Sequence, residues 1–413
     1  MKHYPLSSSQ LDFWFDQILH PHMPLYNIGG YVRINGPIDP DLFQQALDRV
    51  IRENDALRII LHEGKDLPTQ TFAEDVSSGL DFHDFSRPEG GPESAHESAL
   101  AWMQRAFEKP FPLYEKPLFR FALCKVADDR YYWLKAYHHI ISDGWAISLI
   151  VQRVASAYNT LANEESSEAR DASLDPSPYR DFVENDKRYL GSERFSKAKD
   201  YWRNKYRELP EPLLIPHHAV KFQGQTIPSQ RSTLRLSRDF YDRLVGFAEE
   251  HRTSTFHVIL GAFYCYFTRT AEREDFAVGL PTLNRTNTAF KQTVGSFAGI
   301  NPAWFRLGTD LDFVALMAGI RRELQADYRH QRLPMSEINR QTALQYGRGL
   351  FDLTLSYAGH DYDVHFDGAS TRSTFLANGF YPQSHGLFVT IEEFHRIDDV
   401  NIYFETFARK DPY

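Results

Sequence analysis

Residues 137–145 constrain the fold most, because they join a buried strand directly to an amphipathic helix. Upstream, residues 130–137 are aromatic and apolar with one late charge, Lys135, which is typical of a buried strand. Downstream, apolar residues recur at steps of three and four and predict a helix: Ile147, Ile150, Val154, Ala157 and Leu161. The turn between strand and helix carries two adjacent histidines, His138 and His139.

The two histidines are expected to differ in role. Successive strand residues point to opposite faces, so one imidazole faces a cavity while the other braces the turn. A neutral imidazole there can take a proton from an amine or hydroxyl nucleophile. Asp143 and Gly144 begin the helix, where free N–H groups favour negative charge and glycine allows close approach to the backbone. The alternative is a locally hydrogen-bonded histidine pair, with Asp143 only capping the helix.

Seven further segments favour the catalytic interpretation. Each segment is a weak signal by itself, but the order in which they follow one another along the chain is a strong one. In chain order they are Leu6–Trp14, Arg52–Arg58, Tyr179–Phe182, Gly279–Pro281 with Asn284 and Arg285, Val294–Phe297, His330 and Gln331 with Pro334 and Glu337, and Phe351 and Asp352 with Ser356 and Tyr357. Together with the HHxxxDG pattern at 138–144, they resemble the motifs of the condensation domains of nonribosomal peptide synthetases. More broadly, they resemble acyltransferases similar to chloramphenicol acetyltransferase.

The resemblance implies roles for the residues of the histidine motif. His139, the second histidine, is expected to be the catalytic or substrate-positioning residue, and the Gly144 N–H is assigned to the thioester oxyanion. The aspartate of the motif is structural in this family, so we expect Asp143 to form a buried ion pair with Arg58. The remaining motif residues are also expected to be structural: His138 and Trp145.

The resemblance also implies an α/β fold of two chloramphenicol acetyltransferase-like lobes, forming a V-shaped pseudo-dimer with a tunnel between them. An acidic, serine-rich run at 163–178 predicts a solvated connector, which gives an N-terminal lobe at 1–175 and a C-terminal lobe at 176–413. We predict strands at 26–34, 118–126, 131–139, 275–280, 389–393 and 400–407, and helices at 39–53, 182–208 and 244–270.

Composition excludes several functional classes. The 413-residue chain is 42% hydrophobic, which suffices for two sizeable cores, and its net charge of −9 argues against a nucleic-acid partner. No apolar stretch is long enough to span a membrane, and the N-terminus lacks the core of a signal peptide. Cys124 and Cys265 lie in separate apolar runs, which suggests buried free thiols in a reducing cytoplasm, and no metal site is expected.

The resemblance implies a reaction between an acyl thioester and an amine, both delivered on phosphopantetheine arms, with no covalently bound cofactor. Because the first motif begins almost at Met1, we expect an initiating unit of the starter type. Such a domain transfers a fatty acyl group from acyl-CoA or an acyl carrier protein to the first amino acid. That amino acid is held by a downstream peptidyl carrier protein and supplied by an adenylation domain.

Three alternatives remain open at this level. The first is an elongating condensation domain that takes a peptidyl thioester from another subunit. The second is a catalytically silent condensation-like module that recruits partner proteins, although such modules usually lose the active histidine. The third is an ester-forming relative that uses a hydroxyl acceptor.

Overall fold

The computed structural model describes residues 2–87, 91–163, 177–214, 227–308, 310–342, 349–381 and 386–407. Within these ranges the strands are β1 (Tyr4–Pro5), β2 (Asn27–Asn35), β3 (Ile59–His62), β4 (Thr69–Phe72), β5 (Asp81–Asp84), β6 (Phe119–Ala127), β7 (Arg130–His138), β8 (Ile227–Leu236), β9 (Asp275–Thr282), β10 (Gly299–Arg306), β11 (Leu353–Ala358), β12 (His365–Phe366), β13 (Ala369–Phe375), β14 (Phe380–Tyr381), β15 (Leu387–Glu392) and β16 (Val400–Phe407). The helices are α1 (Ser8–Leu19), α2 (Pro40–Glu53), α3 (Pro92–Phe107), α4 (Gly144–Ala162), α5 (Tyr179–Leu190), α6 (Glu193–Lys205), α7 (Arg238–Glu250), α8 (Thr255–Thr270), α9 (Thr288–Lys291), α10 (Phe313–Tyr328) and α11 (Met335–Gln341), with a 3-10 helix at Asp55–Arg58.

The chain folds into two compact units, neither of which is continuous in sequence. The first unit comprises 1–188, 285–297 and 360–378, and the second unit comprises the remainder. This division differs from the predicted lobes at 1–175 and 176–413, and most of the connector predicted at 163–178 lies outside the described residues. The reason is pairing between distant segments: β13 adds to β2 in the first unit, and Arg285 binds Asp143 there.

The sheet of the first unit places β7 near its centre, in the order β12-β13-β2-β7-β6-β5 among the described residues. Antiparallel pairing with β2 and β6 satisfies both edges of β7, and every residue of β7 after Arg130 is buried. This confirms the prediction of a buried strand before the histidines. Helix α4 packs against α2 and buries the apolar stripe at Ile147, Ile150 and Val154.

The second unit has its own mixed sheet, in the order β10-β9-β11-β15-β16-β8-β14 in the described part of the chain. Strand β11 runs parallel to β15 and β9, whereas the other pairs are antiparallel. Helices α8 and α10 cover this sheet, and their Leu260 and Ile320 join Val278 and Leu355 in one core. Two α/β units with separate cores confirm the predicted fold class.

The predicted strands agree with the structure to within a few residues, but two of the predicted helices are wrong. The helix predicted at 182–208 is two helices, α5 and α6, because Gly191 interrupts it and the Ser192 side chain accepts the Phe195 N–H to begin α6. The helix predicted at 244–270 is likewise α7 and α8. Arg252 adopts a positive φ of 52°, and Ser254 caps α8.

The structure describes both cysteines and the apolarity of the helices. Cys124 is buried, whereas Cys265 is only partly buried, so the prediction of buried thiols is correct for Cys124 alone. Burial raises the pKa of the Cys124 thiol to about 12, which keeps it protonated at neutral pH. Among helices in the described ranges, none combines the length and apolarity needed to cross a bilayer.

Candidate active site

The histidine motif forms a tightly anchored turn between β7 and α4. The His138 N–H donates to the Leu118 carbonyl and the His139 N–H to the Tyr26 carbonyl, each at 2.8 Å. The Ile141 N–H returns to the His138 carbonyl at 3.0 Å. These backbone hydrogen bonds hold the turn on both sides, so the Cα atoms of His138 and His139 have fixed positions.

Helix α1 supports this turn with side chains spaced three and four residues apart, which places them on one helix face. Gln10 Nε2 donates to the Ile140 carbonyl at 3.1 Å. The Phe13 ring stacks on the His139 imidazole with centroids 4.1 Å apart. Gln17 Oε1 lies 3.3 Å from His138 Nε2. The first motif therefore orients the histidine turn, and Gln17, one helical turn beyond that motif, was missed by sequence reasoning.

His138 is a bracing residue. Its ring is buried, and its Nδ1 accepts the Ile140 N–H at 3.2 Å, so the ring proton lies on Nε2 and is donated to Gln17. Burial lowers the pKa of His138 to about 3, with a smaller contribution from His139 in the same direction. His138 is therefore neutral at physiological pH and has both ring nitrogens occupied.

His139 presents one free nitrogen. Burial lowers its pKa, and this is opposed by the Asp143 carboxylate and by the carbonyls of His139 and Ser142. Nδ1 is buried without a hydrogen bond of normal geometry, whereas Nε2 is neither buried nor bonded to any described residue. The carbonyls near the ring favour a proton on the buried Nδ1, which leaves the accessible Nε2 as the proton acceptor of a neutral imidazole held by Phe13.

Asp143 is a structural residue, but its cation is not the one predicted. Its carboxylate accepts hydrogen bonds from the Ala146 N–H at 2.8 Å and the Phe297 N–H at 2.9 Å, and pairs with Arg285 Nη2 at 2.8 Å. The expected pair with Arg58 is wrong: the Arg58 guanidinium, at the end of the 3-10 helix, donates to the Ala73 carbonyl. Asp143 therefore caps α4 and joins it to the segment 285–297.

Arg285 is held as firmly as its partner. Its guanidinium lies over the Phe297 ring, 4.0 Å from the centroid, and burial lowers its pKa against the opposing effect of Asp143. It also donates to three backbone carbonyls: Phe290, Thr293 and Gly295. A Cβ on Gly295 would lie 2.1 Å from the Tyr179 ring, so only glycine fits there. Asp143 is therefore held in place by three of the sequence motifs, which contain Tyr179, Arg285 and Gly295.

Gly144 begins α4 beneath a third imidazole that sequence reasoning missed. A Cβ built on Gly144 would lie 2.8 Å from His360 Nε2, so any side chain there would displace that ring. The Tyr362 hydroxyl donates to the Gly144 carbonyl at 3.3 Å, and Trp145 Nε1 donates to the Lys291 carbonyl at 2.7 Å. His360 lies outside the sequence motifs, so only the proximity of its ring to Gly144 in the structure identifies it as part of the candidate site.

The sixth and seventh motifs lie in the second unit and pack there. The Tyr201 ring stacks on His330 at 4.2 Å, and Trp202 Nε1 donates to the His330 carbonyl at 3.0 Å. The Asp352 carboxylate accepts the backbone N–H groups of Leu213 and Leu214. These contacts give His330 and Asp352 structural roles within the second unit.

The chemistry available around the turn is proton transfer and hydrogen bonding. His139 offers a neutral nitrogen, and the first N–H groups of α4 have no partner within the helix. Those N–H groups and the helix dipole stabilise negative charge that develops nearby. Within the ranges that the structure describes, no group of three or more metal-ligating side chains is assembled.

Comparisons with known proteins agree on one family. A sequence profile described as "Condensation domain" matches residues 1–386. The dimodular nonribosomal peptide synthase of Bacillus subtilis (strain 168) is 30% identical over 378 residues, covering 91% of this chain and 15% of its own length. The isonitrile lipopeptide synthase of Streptomyces coeruleorubidus is 28% identical over 372 residues, covering 87% of this chain and 25% of its own length. The chain thus spans a quarter or less of these relatives.

Two solved condensation domains have a similar fold. A mutant of the starter condensation domain of rhizomide synthetase RzmA, in complex with C8-CoA and Leu-SNAC, has a TM-score of 0.85 at 27% identity, covering 98% of this chain and 88% of that one. The first condensation domain of the calcium-dependent antibiotic synthetase has a TM-score of 0.83 at 20% identity, covering 98% and 91%. The second likeness concerns the fold alone.

Proposed function

This chain belongs to the condensation domain family of nonribosomal peptide synthetases, and we propose that it is of the starter type, joining a fatty acyl thioester to the amino group of a carrier-bound amino acid. Condensation domains are amide-bond-forming acyltransferases. The proposal is carried by likeness over 98% of the chain to a starter condensation domain whose structure contains C8-CoA and Leu-SNAC. The neutral His139 with its accessible Nε2 suits such a reaction.

The proposed reaction needs only placement and one proton transfer. The amine nitrogen attacks the thioester carbonyl carbon, and the oxygen becomes negatively charged as the C–N bond forms. The C–S bond then breaks and the thiolate leaves. His139 Nε2 takes the proton that the amine loses and delivers it to the thiolate, so free thiol and amide are the products. Holding both substrates in the correct orientation supplies up to about 7–11 kcal/mol of the barrier reduction.

Gly144 has a supporting part in this mechanism. Its N–H is at the first position of α4, where intrahelical partners are absent, and the Asp143 carboxylate is engaged with the Ala146 N–H instead. We assign the Gly144 N–H to the thioester oxyanion. Asp143, Arg285 and His138 hold the turn and do not take part in proton transfer.

The proposed partners follow from the same function. The donor is acyl-CoA or an acyl carrier protein, and the acceptor is an amino acid on a downstream peptidyl carrier protein that an adenylation domain loads. Relatives in which a similar segment makes up only 15–25% of a synthase or synthetase are consistent with such neighbours. No covalently bound cofactor is needed, because both substrates arrive as thioesters or amines.

A donor competition assay tests the proposal. The protein is incubated with octanoyl-CoA and a panel of aminoacyl N-acetylcysteamine thioesters, beginning with leucine, and products are identified by intact mass. A parallel series replaces octanoyl-CoA with a dipeptidyl thioester, and a third replaces the amine acceptor with a hydroxy-acyl thioester. The His139→Ala variant serves as the control for uncatalysed aminolysis.

The three series separate the alternatives. An N-octanoyl aminoacyl product that requires His139 supports the starter function. Product from the peptidyl donor alone supports the elongation function, and ester from the hydroxy acceptor alone supports the ester-forming function. Absence of all products, with carrier proteins also supplied, supports a silent recruiting module.

A further inference from the structure

His360 belongs to the first unit and lies beside the beginning of α4. Its Nε2 lies 2.8 Å from the position that a Cβ on Gly144 would occupy. The ring is held edge-to-face against Trp145, with centroids 6.2 Å apart, and against Tyr362 at 6.4 Å. Tyr362 in turn donates to the Gly144 carbonyl. The ring is thus placed over the first residue of α4 by its packing.

The two ring nitrogens of His360 have different surroundings. Nδ1 is buried and has no hydrogen-bond partner among the described residues, whereas Nε2 is neither buried nor bonded to them. A buried N–H without a partner is rarer in proteins than a buried acceptor without one. The carbonyls of His139 and Ser142 raise the pKa of the His139 ring, whereas no backbone carbonyl of the described residues has this effect on His360. The neutral His360 ring therefore carries its proton on Nε2, the nitrogen nearest the space above Gly144.

Burial, more than the surrounding charges, keeps the His360 ring neutral. Burial lowers its pKa to about 4, Asp143 acts in the opposite direction, and Arg285 adds to the lowering. Asp143 and Arg285 are paired with each other, so their effects on the ring oppose one another. The positive end of the α4 dipole also disfavours a cation at this position. A neutral imidazole can donate a hydrogen bond without delivering a proton.

We propose that His360 is a second catalytic imidazole, which donates its Nε2–H to the thioester carbonyl oxygen alongside the Gly144 N–H. The geometry permits both bonds. A Cβ is about 2.5 Å from the nitrogen of its own residue, so His360 Nε2 and Gly144 N are at most about 5.3 Å apart. One oxygen can therefore lie at about 2.9 Å from both donors. This inference rests on the proposed acyl transfer, but it concerns the thioester carbonyl, which fatty acyl and peptidyl donors share.

The two imidazoles have different roles in the proposed reaction, because His360 Nε2 lies beside Gly144 at the start of α4. His139 accepts the proton of the attacking amine, whereas His360 stabilises the negative charge on oxygen and keeps its own proton throughout. The donor is preorganised by Trp145 and Tyr362, so little reorganisation accompanies bond formation. The bonds formed and broken are those of the acyl transfer described above.

Two substitutions distinguish a hydrogen-bond donor from a space-filling ring. His360→Leu removes the donor, and we expect kcat to fall about 10²–10³-fold with little change in the KM for the acyl donor. His360→Gln keeps an N–H near the position of Nε2, and we expect it to recover at least tenfold of that loss. Equal activity in both variants, or a change confined to KM, would overturn the proposal. Thermal unfolding of each variant shows whether the fold is retained.

A measurement on the wild-type protein does not depend on turnover. Nitrogen-15 NMR of histidine-labelled protein, with His360 assigned by the His360→Gln spectrum, reports the tautomer at pH 7. We expect a neutral ring protonated at Nε2, and a ring protonated at Nδ1 or a charged imidazolium would contradict the proposal. If only a peptidyl thioester reacts with the wild type, the starter function fails, and the same variants are then compared with that donor. If no donor reacts, the NMR result alone decides whether the donor tautomer exists.

Discussion

The histidine turn of the first unit and a polar cluster of the second unit differ in how their polar atoms are hydrogen-bonded. In the second unit, the Tyr241 and Tyr357 hydroxyls lie 2.5 Å apart, and both bond to Glu393 Oε2 at 2.8 and 2.5 Å. Arg238 approaches the same carboxylate at 3.5 Å. In the first unit, the buried Nδ1 of His139 and of His360 makes no hydrogen bond of normal geometry among the described residues, and the Nε2 of each ring is accessible.

This contrast separates polar groups that stabilise the fold from polar groups that are available for chemistry. A buried polar atom without a hydrogen bond costs about 1–3 kcal/mol of stability. Tyr241, Tyr357 and Glu393 form a closed cluster, in which the polar atoms bond to one another, and such a cluster stabilises the fold. Among the described residues, the two imidazoles retain ring nitrogens without a hydrogen bond beside the first turn of α4, where a reacting group can bond to Nε2. His138, in the same turn but with both nitrogens bonded, resembles the closed cluster.

The largest expected effect is on turnover. His139→Ala removes the proposed proton acceptor but leaves the turn anchored through its backbone hydrogen bonds, so we expect turnover to fall about 10²–10⁴-fold with the fold intact. The measurement is the rate of N-acyl product formation, with circular dichroism as the check on folding. Retention of most of the activity would remove His139 from this role.

The next effect is on stability and identifies the cation that pairs with Asp143. Arg285→Met leaves a buried carboxylate without its partner, and we expect the free energy of unfolding to fall by about 3–5 kcal/mol. Double-mutant cycles measured by urea unfolding, with Asp143→Asn as the second change, should give strong coupling to Arg285. The matched control, Arg58→Met, should show coupling to Asp143 within about 0.5 kcal/mol. Strong coupling to Arg58 would restore the pairing expected from the family.

A smaller effect concerns pH. The pKa of His138 is about 3 in the folded chain and near 6.5 when unfolded, so the unfolded state binds the extra proton between these values. The stability due to neutral His138 is therefore complete above about pH 6.5 and decreases as the pH falls. His138→Asn keeps an acceptor for the Ile140 N–H but does not titrate. We expect the wild type to lose about 2 kcal/mol more than this variant between pH 7 and pH 5, in urea unfolding at each pH. Parallel pH dependences would contradict the assignment.

The smallest effect is expected in the closed cluster. Tyr357→Phe removes one hydroxyl but leaves Tyr241 bonded to Glu393, so we expect a loss of about 1 kcal/mol in unfolding free energy. Turnover should not change, because the cluster makes its contacts within the second unit. A large loss of activity without loss of stability would show that the contrast between the two regions is incorrect.

Local sequence sufficed for the strand and helix around the histidines. The uninterrupted apolar run of β7 and the periodicity of α4 reflect burial along each element, so their bounds were predicted within a few residues. The breaks between α5 and α6 and between α7 and α8 were missed, because one glycine or a short polar turn within a periodic pattern is a weak signal.

Sequence patterns alone predict the α/β class, the family and the turn on which chemistry is expected, because these depend on spacing within short segments. The folded chain is needed to identify the arginine that pairs with Asp143 and to show that His360 lies beside Gly144. Both contacts join segments distant in the chain, and arginine or histidine side chains at several positions satisfy the same spacing rules. Which of them reaches the turn is decided by the pairing of β13 with β2 and the burial of the 285–297 segment, and no local pattern encodes either.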